Sequence, residues 1–147
     1  MTTSNLHKKS LRLSTLHKKS FKQLPPPYSA NTFHEFLQNK NYYLVEEKYK
    51  GFAFARVVSK VAELITIAVD PNLRRKGIGE KVLSDLIDKV INVGANQFVL
   101  EVASNNKAAI NLYTKLGFTA IHKRKNYFRH KDSTVDAIVF NRLLKPA

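Results

Sequence analysis

The spacing of hydrophobic positions changes several times along the chain, and each change predicts an element. Leu13, Leu16, His17, Phe21 and Leu24 recur at helical intervals and predict a short helix. Pro25, Pro26 and Pro27 end it, because proline lacks an amide donor and restricts the residue before it. Phe33, Phe36 and Leu37 predict a second helix from Ala30 to Gln38. Tyr42 to Glu47, Phe52 to Val58 and Glu63 to Val69 are rich in β-branched and aromatic residues and predict three strands. Lys50-Gly51 and Ser59-Lys60 break them as turns, giving a meander. From Gly79 to Ile91 the helical period returns. Val82, Leu83, Leu86, Ile87 and Val90 form one stripe, with Lys81, Asp85, Asp88 and Lys89 off it and Gly94 as terminator. Phe98 to Val102 predicts a buried strand. Asn105 or Asn106 predicts the cap of a helix that ends near Leu116, with Gly117 as its stop. Phe118 to Lys123 and Ala137 to Leu144 complete the strands. The order is two helices, three strands, helix, strand, helix and two strands. That predicts a mixed α/β (α+β) domain and not a regular βαβ repeat.

Length changes the picture little, since 147 residues suit one domain. Charge changes it more. Lys and Arg number 25 against 11 Asp and Glu, a net +14, and a field of that sign draws polyanions: a polyphosphate cofactor, an acidic tail or nucleic acid. The first acidic residue is Glu35. Before it, Leu6-His7-Lys8-Lys9-Ser10 recurs as Leu16-His17-Lys18-Lys19-Ser20, too short a duplication for a solenoid. The first twelve residues are expected to form a mobile basic extension, with the domain spanning 13–147. An acid-free start bearing Ser and Thr also resembles an organelle transit peptide, though without its arginine richness. The chain has no cysteine, which excludes disulfides, thiolate metal sites and cysteine nucleophiles. It fits a reducing compartment, and a cytoplasmic location is expected. His7, His17, His34, His122 and His130 lack metal-ligand spacing, so no metal is expected. No apolar run approaches the roughly 20 residues that span a bilayer.

The segment richest in candidate chemistry joins the third strand to the long helix. Asp70-Pro71-Asn72 leaves the strand; Arg74, Arg75 and Lys76 follow, then Gly77 and Gly79 open the helix. Free amides at a helix start carry the positive end of the dipole, and the two glycines permit close approach. Together they predict an anion cradle. The plainer possibility is a strand-to-helix turn with solvated cations. Neither a Walker loop nor a dinucleotide fingerprint fits: no Gly-Lys-Ser/Thr follows, and Val82 stands where a third glycine would.

Arg74-x-x-Gly77-x-Gly79 resembles the pyrophosphate motif of the GNAT superfamily of N-acetyltransferases. Ile67-Ala68-Val69-Asp70-Pro71 is similar to the strand end before that motif. Leu100-Glu101-Val102, with Asn106, Ala108, Ala109, Ile110, Leu112, Tyr113, Leu116, Gly117 and Phe118, is similar to the second half of the cofactor site. Asn126-Tyr127 and Asp136-Ala137-Ile138 fit the RimI branch, the ribosomal-protein-alanine N-acetyltransferases. The resemblance implies a mostly antiparallel central sheet with flanking helices and one splayed strand pair. The pantetheine of acetyl-CoA would lie between the splayed strands. It implies that Ile67, Ala68 and Val69 bond that arm through their backbone. Arg74, Arg75, Lys76, Gly77, Ile78, Gly79 and Glu80 would cradle the diphosphate, and Asn106 would touch the other flank. Glu101 and Tyr113 match the general base and general acid, and a protein N-terminus, that of a ribosomal protein, is the implied acceptor.

Without the resemblance, Glu101 reads as a strand-end carboxylate paired with a cation, and Tyr113 as core packing at helical spacing. Departures fall on the acceptor side. Pro27-Tyr28-Ser29 stands where the family often has Phe-Pro-Trp-Ser, Asn126-Tyr127-Phe128 replaces Asn-Tyr-Tyr, and Ala103 replaces a frequent arginine. His122 to Lys131 is expected to be a solvated basic loop beside the acceptor groove, with weak RNA contact as an alternative. A lysine or small-amine acetyltransferase of the same fold, or an inactive RNA- or ribosome-binding module, are the competing functions.

Overall fold

A computed structural model describes residues 3–20, 28–130 and 132–145. The chain forms helices α1 (Thr3–Ser20) and α2 (Ala30–Gln38), strands β1 (Tyr42–Glu47), β2 (Gly51–Val58) and β3 (Val61–Val69), and a short 3-10 turn at Pro71–Leu73. Helix α3 (Ile78–Asn92), strand β4 (Gln97–Ala103), helix α4 (Lys107–Lys115) and strands β5 (Thr119–His130) and β6 (Ser133–Leu143) follow. One six-stranded sheet has the order β1-β2-β3-β4-β6-β5. Every neighbouring pair is antiparallel except β3 with β4. Among the described residues no helix is long and apolar enough to cross a membrane.

Both faces of the first half of the sheet are covered. On β2, Ala53 and Ala55 join the α3 stripe of Val82, Leu83, Leu86, Ile87 and Val90 in one core. Phe98, Leu100, Tyr113, Phe118 and Phe140 extend it. Phe52 and Phe54 alternate to the other face and pack with Leu13, Leu16, Phe33 and Ala68 under α1 and α2. Buried His17 holds this second core together. Its Nδ1 accepts the Tyr28 amide at 3.1 Å, so Nε2 carries the proton and donates to the Thr66 hydroxyl at 2.8 Å.

Two expectations need correction. Residues 3–12 are not an extension: they belong to α1, Ser10 is buried, and Arg12 places two hydrogen bonds, 2.7 and 3.0 Å, on Glu46 of β1. The expected end of this helix, with Phe21, Leu24, Pro25, Pro26 and Pro27, lies outside the described residues. A ten-residue repeat turns a helix by about 280°, so the duplicated segments meet different surroundings. His7 is exposed and His17 is core. The second correction is the basic loop expected over His122 to Lys131. Residues up to His130 belong to β5, which pairs with β6 as far as His130↔Ser133; Lys131 itself is outside the described residues. A bulge between Arg124 and Phe128 accommodates Asn126 at φ 52°. Asp136 Oδ1 accepts the Asn126 amide at 2.8 Å, and Thr134 donates to the Asn126 side chain at 2.8 Å.

Candidate active site

The parallel pair sets the site. Strands β3 and β4 pair only at Val61↔Gln97, Ala62↔Phe98 and Glu63↔Val99. Beyond those rungs they part, leaving an opening between the ends of β3 and β4. The Asp70 amide donates to the Lys50 carbonyl at 2.8 Å, continuing the β2–β3 ladder. Peptide groups alternate sides along a strand, so Ala68 faces β2 while Ile67 and Val69 face the opening. Of the three backbone positions expected to meet a ligand, two are therefore directed at it. The Val69 carbonyl accepts the Ser20 hydroxyl of α1 at 2.8 Å.

At the end of β3, Asp70 caps the short turn by accepting the Asn72 amide at 2.9 Å. Arg74 then donates to the Ser20 carbonyl at 3.2 Å, so one cradle cation also ties the loop to α1. Arg75 and Gly77 adopt positive φ, 66° and 79°. Gly77 is the N-cap of α3 and makes no side-chain capping bond. The amides of Ile78, Gly79 and Glu80 precede the first amide that donates within the helix, that of Lys81 to the Gly77 carbonyl at 3.0 Å, and have no partner within the helix. Arg74, Arg75, Lys76 and Gly77 are exposed beside them.

Gly79 is informative. A Cβ there would meet Leu112 at 3.5 Å and Val69 at 3.6 Å, ordinary contacts, so the fold does not itself require glycine. Glycine inside a helix costs about 1 kcal/mol relative to alanine. The space it keeps open lies beside exposed amides and three cations, which fits a diphosphate. Glu80 binds Lys115 at 2.8 Å and fastens the start of α3 to α4. The Asn106 side chain caps α4 by accepting the Ala109 amide at 3.2 Å, which leaves its amide nitrogen as a donor.

Tyr113 is buried against Phe118 and Phe140, with ring centroids 6.0 and 6.2 Å away. Burial pushes its phenol well above the usual tyrosine range. Glu101 sits on β4 between Leu100 and Val102, which point into the core that holds Tyr113. Glu101 therefore faces the other side of the sheet. The two residues are not brought into direct contact: Glu101 lies on β4 past its last rung with β3, and Tyr113 is packed in the core on the opposite face of β4. The ordinary roles are also realised, since Tyr113 is core and Glu101 pairs with Arg124 at 3.3 Å.

Sequence reasoning placed Arg124 and Tyr127 in a basic segment beside the acceptor groove and linked neither of them to Glu101. The Arg124 guanidinium lies 5.5 Å from the Tyr127 ring centroid. Tyr127's phenol is raised above its usual range first by its hydrogen bond to Glu101, then by the charges of Glu101 and Glu63, against a lowering by Arg124. Only strand register brings these residues together, and no local spacing in the sequence signals it.

This architecture has known relatives. Residues 10–118 match the Acetyltransferase (GNAT) family. The chain belongs to the GNAT family. It is 39% identical over 116 residues to the [Ribosomal protein bS18]-alanine N-acetyltransferase of Escherichia coli K12, covering 77% of this chain and 78% of that protein. It is 34% identical over 133 residues to N-alpha-acetyltransferase 30 of Dictyostelium discoideum, covering 85% and 69%. The crystal structure of the ribosomal-protein-S18-alanine N-acetyltransferase from Escherichia coli superposes with a TM-score of 0.81 at 32% identity, over 100% of this chain and 92% of that one. The RimI-like resemblance is thereby borne out, and with it the fold. This GNAT enzyme is an acetyl-CoA-dependent N-acetyltransferase, with acetyl-CoA as cosubstrate.

Proposed function

We propose that this GNAT enzyme acetylates the N-terminal α-amine of a protein, a ribosomal protein in the first instance, with Glu101 as general base and Tyr113 as general acid. The observation that supports the reading is that Glu101 lies on β4 past its last rung with β3, while Tyr113 belongs to the core on the opposite face of that strand. Identity to an alanine N-acetyltransferase across most of both chains supports the acceptor class.

In this reading the amides of Ile78, Gly79 and Glu80, with Arg74, Arg75 and Lys76, hold the diphosphate of acetyl-CoA. Ile67 and Val69 present backbone groups to the pantetheine, Asn106 lies on its other flank, and Ala68 serves by pairing β3 to β2. The amine enters from the face that carries Glu101. An α-amine has a reference pKa of about 7.7–8.0 against about 10.4 for lysine, so a carboxylate is a more competent base for the former. Glu101 takes a proton from the attacking nitrogen, the N–C bond forms, the C–S bond breaks, and Tyr113 delivers its proton to the departing sulfur. The Val69 amide faces the opening and is placed to stabilise the oxyanion. A cytoplasmic setting agrees with this acceptor. Nucleic-acid contact remains a reading of the +14 charge alone.

Acetyl-CoA turnover against a panel of N-terminal peptides, resolved by mass, tests the acceptor. Acetate is expected on the α-amine, with an Ala-initiated ribosomal-protein peptide among the good acceptors. Acetate confined to lysine side chains would remove this reading.

A further inference from the structure

The pairing of Glu101 has a specific cause in the sheet. Ala103 of β4 stands opposite Ala137 of β6, and Ala137 stands opposite Arg124 of β5. These three positions form one row across three strands, on the face that carries Glu101. Two of the three are alanines, and Ala137 is fully buried. Nothing bulky separates the base of Arg124 from β4, so its side chain can lie across β6. It reaches Glu101, two residues along β4 from Ala103, and its Nε stands 3.3 Å from Oε1. Among the described residues this is the only ion pair Glu101 makes.

A second contact fixes the guanidinium from above. Asp136 holds Asn126 in the left-handed conformation through its amide, and the bulge carries Tyr127 back beside Arg124, whose guanidinium lies 5.5 Å from the ring centroid. Asp136 also pairs with Lys123 at 3.4 Å, which turns that cation to the other face. Arg124 is thus the cation of this hairpin left to face the carboxylate.

We propose that Arg124 is a positioning residue: clamped between Tyr127 and the row of alanines, it orients the Glu101 carboxylate toward the opening. Arg124 does not itself touch the reacting atoms. Its Nε engages Oε1 of the carboxylate. The inference rests on Glu101 being the base.

A double-mutant cycle on the full chain tests it, with turnover of an N-terminal peptide and calorimetric coenzyme A binding as readouts. Arg124→Ala is expected to lower kcat by about tenfold to a hundredfold, the scale of misplacing a catalytic group by an ångström, with coenzyme A affinity unchanged. In the Glu101→Gln background the same substitution is expected to cost nothing further, because its target is already gone. Arg124→Lys should recover part of the rate, since an ammonium keeps the charge but not the planar fork. An undiminished loss in the Glu101→Gln background, or no loss in the wild-type background, overturns the positioning role while leaving the base intact. If Glu101→Gln alone leaves kcat unchanged, the base assignment fails first and Arg124 falls with it.

Discussion

Tyr113 is proposed to serve packing and chemistry together. Its ring fills the core between Phe118 and Phe140, while its hydroxyl makes no hydrogen bond to the described residues. The sulfur of a bound thioester is the partner proposed for it. Burial raises its pKa, so the phenol stays protonated, and able to donate, throughout the neutral range. Tyr113→Phe keeps the packing volume. It should leave the melting temperature and coenzyme A affinity close to wild type while lowering kcat by about a hundredfold, within the span of general acid catalysis; an unchanged kcat would remove Tyr113 as the acid. His17 makes a different residue-scale prediction. Desolvation lowers its folded-state pKa to about 4 from 6.5, so the neutral ring favours the folded state. The corresponding stability is complete above pH 6.5 and is lost as pH falls toward 4, because protonation removes the acceptor for the Tyr28 amide. The gap corresponds to about 3 kcal/mol. Asp136, whose pKa is lowered first by the Asn126 amide, loses its contribution only below the ordinary carboxylate range. Urea midpoints from pH 7 to 4 should therefore fall in wild type and flatten in His17→Leu; parallel curves would contradict the assignment.

At the scale of elements, some boundaries were written plainly in the sequence. Helix α2 and strand β1 lie where turn chemistry and periodicity put them, with Ser29 capping α2 through the Thr32 amide at 3.2 Å. The α3 stripe is core, and Asn106 is the N-cap of α4. The first turns of α1 were not legible because their inward groups are Ser10 and an arginine pinned by Glu46, not an apolar stripe. The strands of the β5–β6 hairpin were legible from Phe118 to Lys123 and from Ala137 on, but the extension of β5 to His130 was hidden by its charge: positions 119–127 are all exposed, so no alternation marks it. The cradle was legible as local chemistry, whereas the Glu101–Arg124–Tyr127 cluster depends on register across three strands. The cradle also separates fold from binding. Gly51 must stay small, since a Cβ there would meet Ile78 at 2.8 Å and the Ala68 carbonyl at 3.0 Å. Gly79 has ordinary room. Gly79→Ala should hold or raise the melting temperature, by the helix propensity gained, while weakening coenzyme A binding at least several-fold. A variant that binds coenzyme A as tightly as wild type would show that the glycine keeps no space for the diphosphate.

Across the whole molecule, the sheet divides into a half covered on both faces and a half, β4 to β5, where α1 and α2 do not reach. The opening between β3 and β4 lies at that division. In the proposed arrangement, acetyl-CoA held from the α3 side would meet an acceptor that approaches over the uncovered face. The net charge of +14 belongs to this scale as well: it draws an anionic cosubstrate from a distance and is screened within about 10 Å at 0.1 M salt. Calorimetric titration of coenzyme A into the folded chain, at low and at moderate ionic strength, tests the central claim most directly. The account predicts one saturable site per chain, weakened by salt and weakened further when Arg75 and Lys76 are replaced by alanine. Well-folded protein that takes up no coenzyme A at low ionic strength would contradict it.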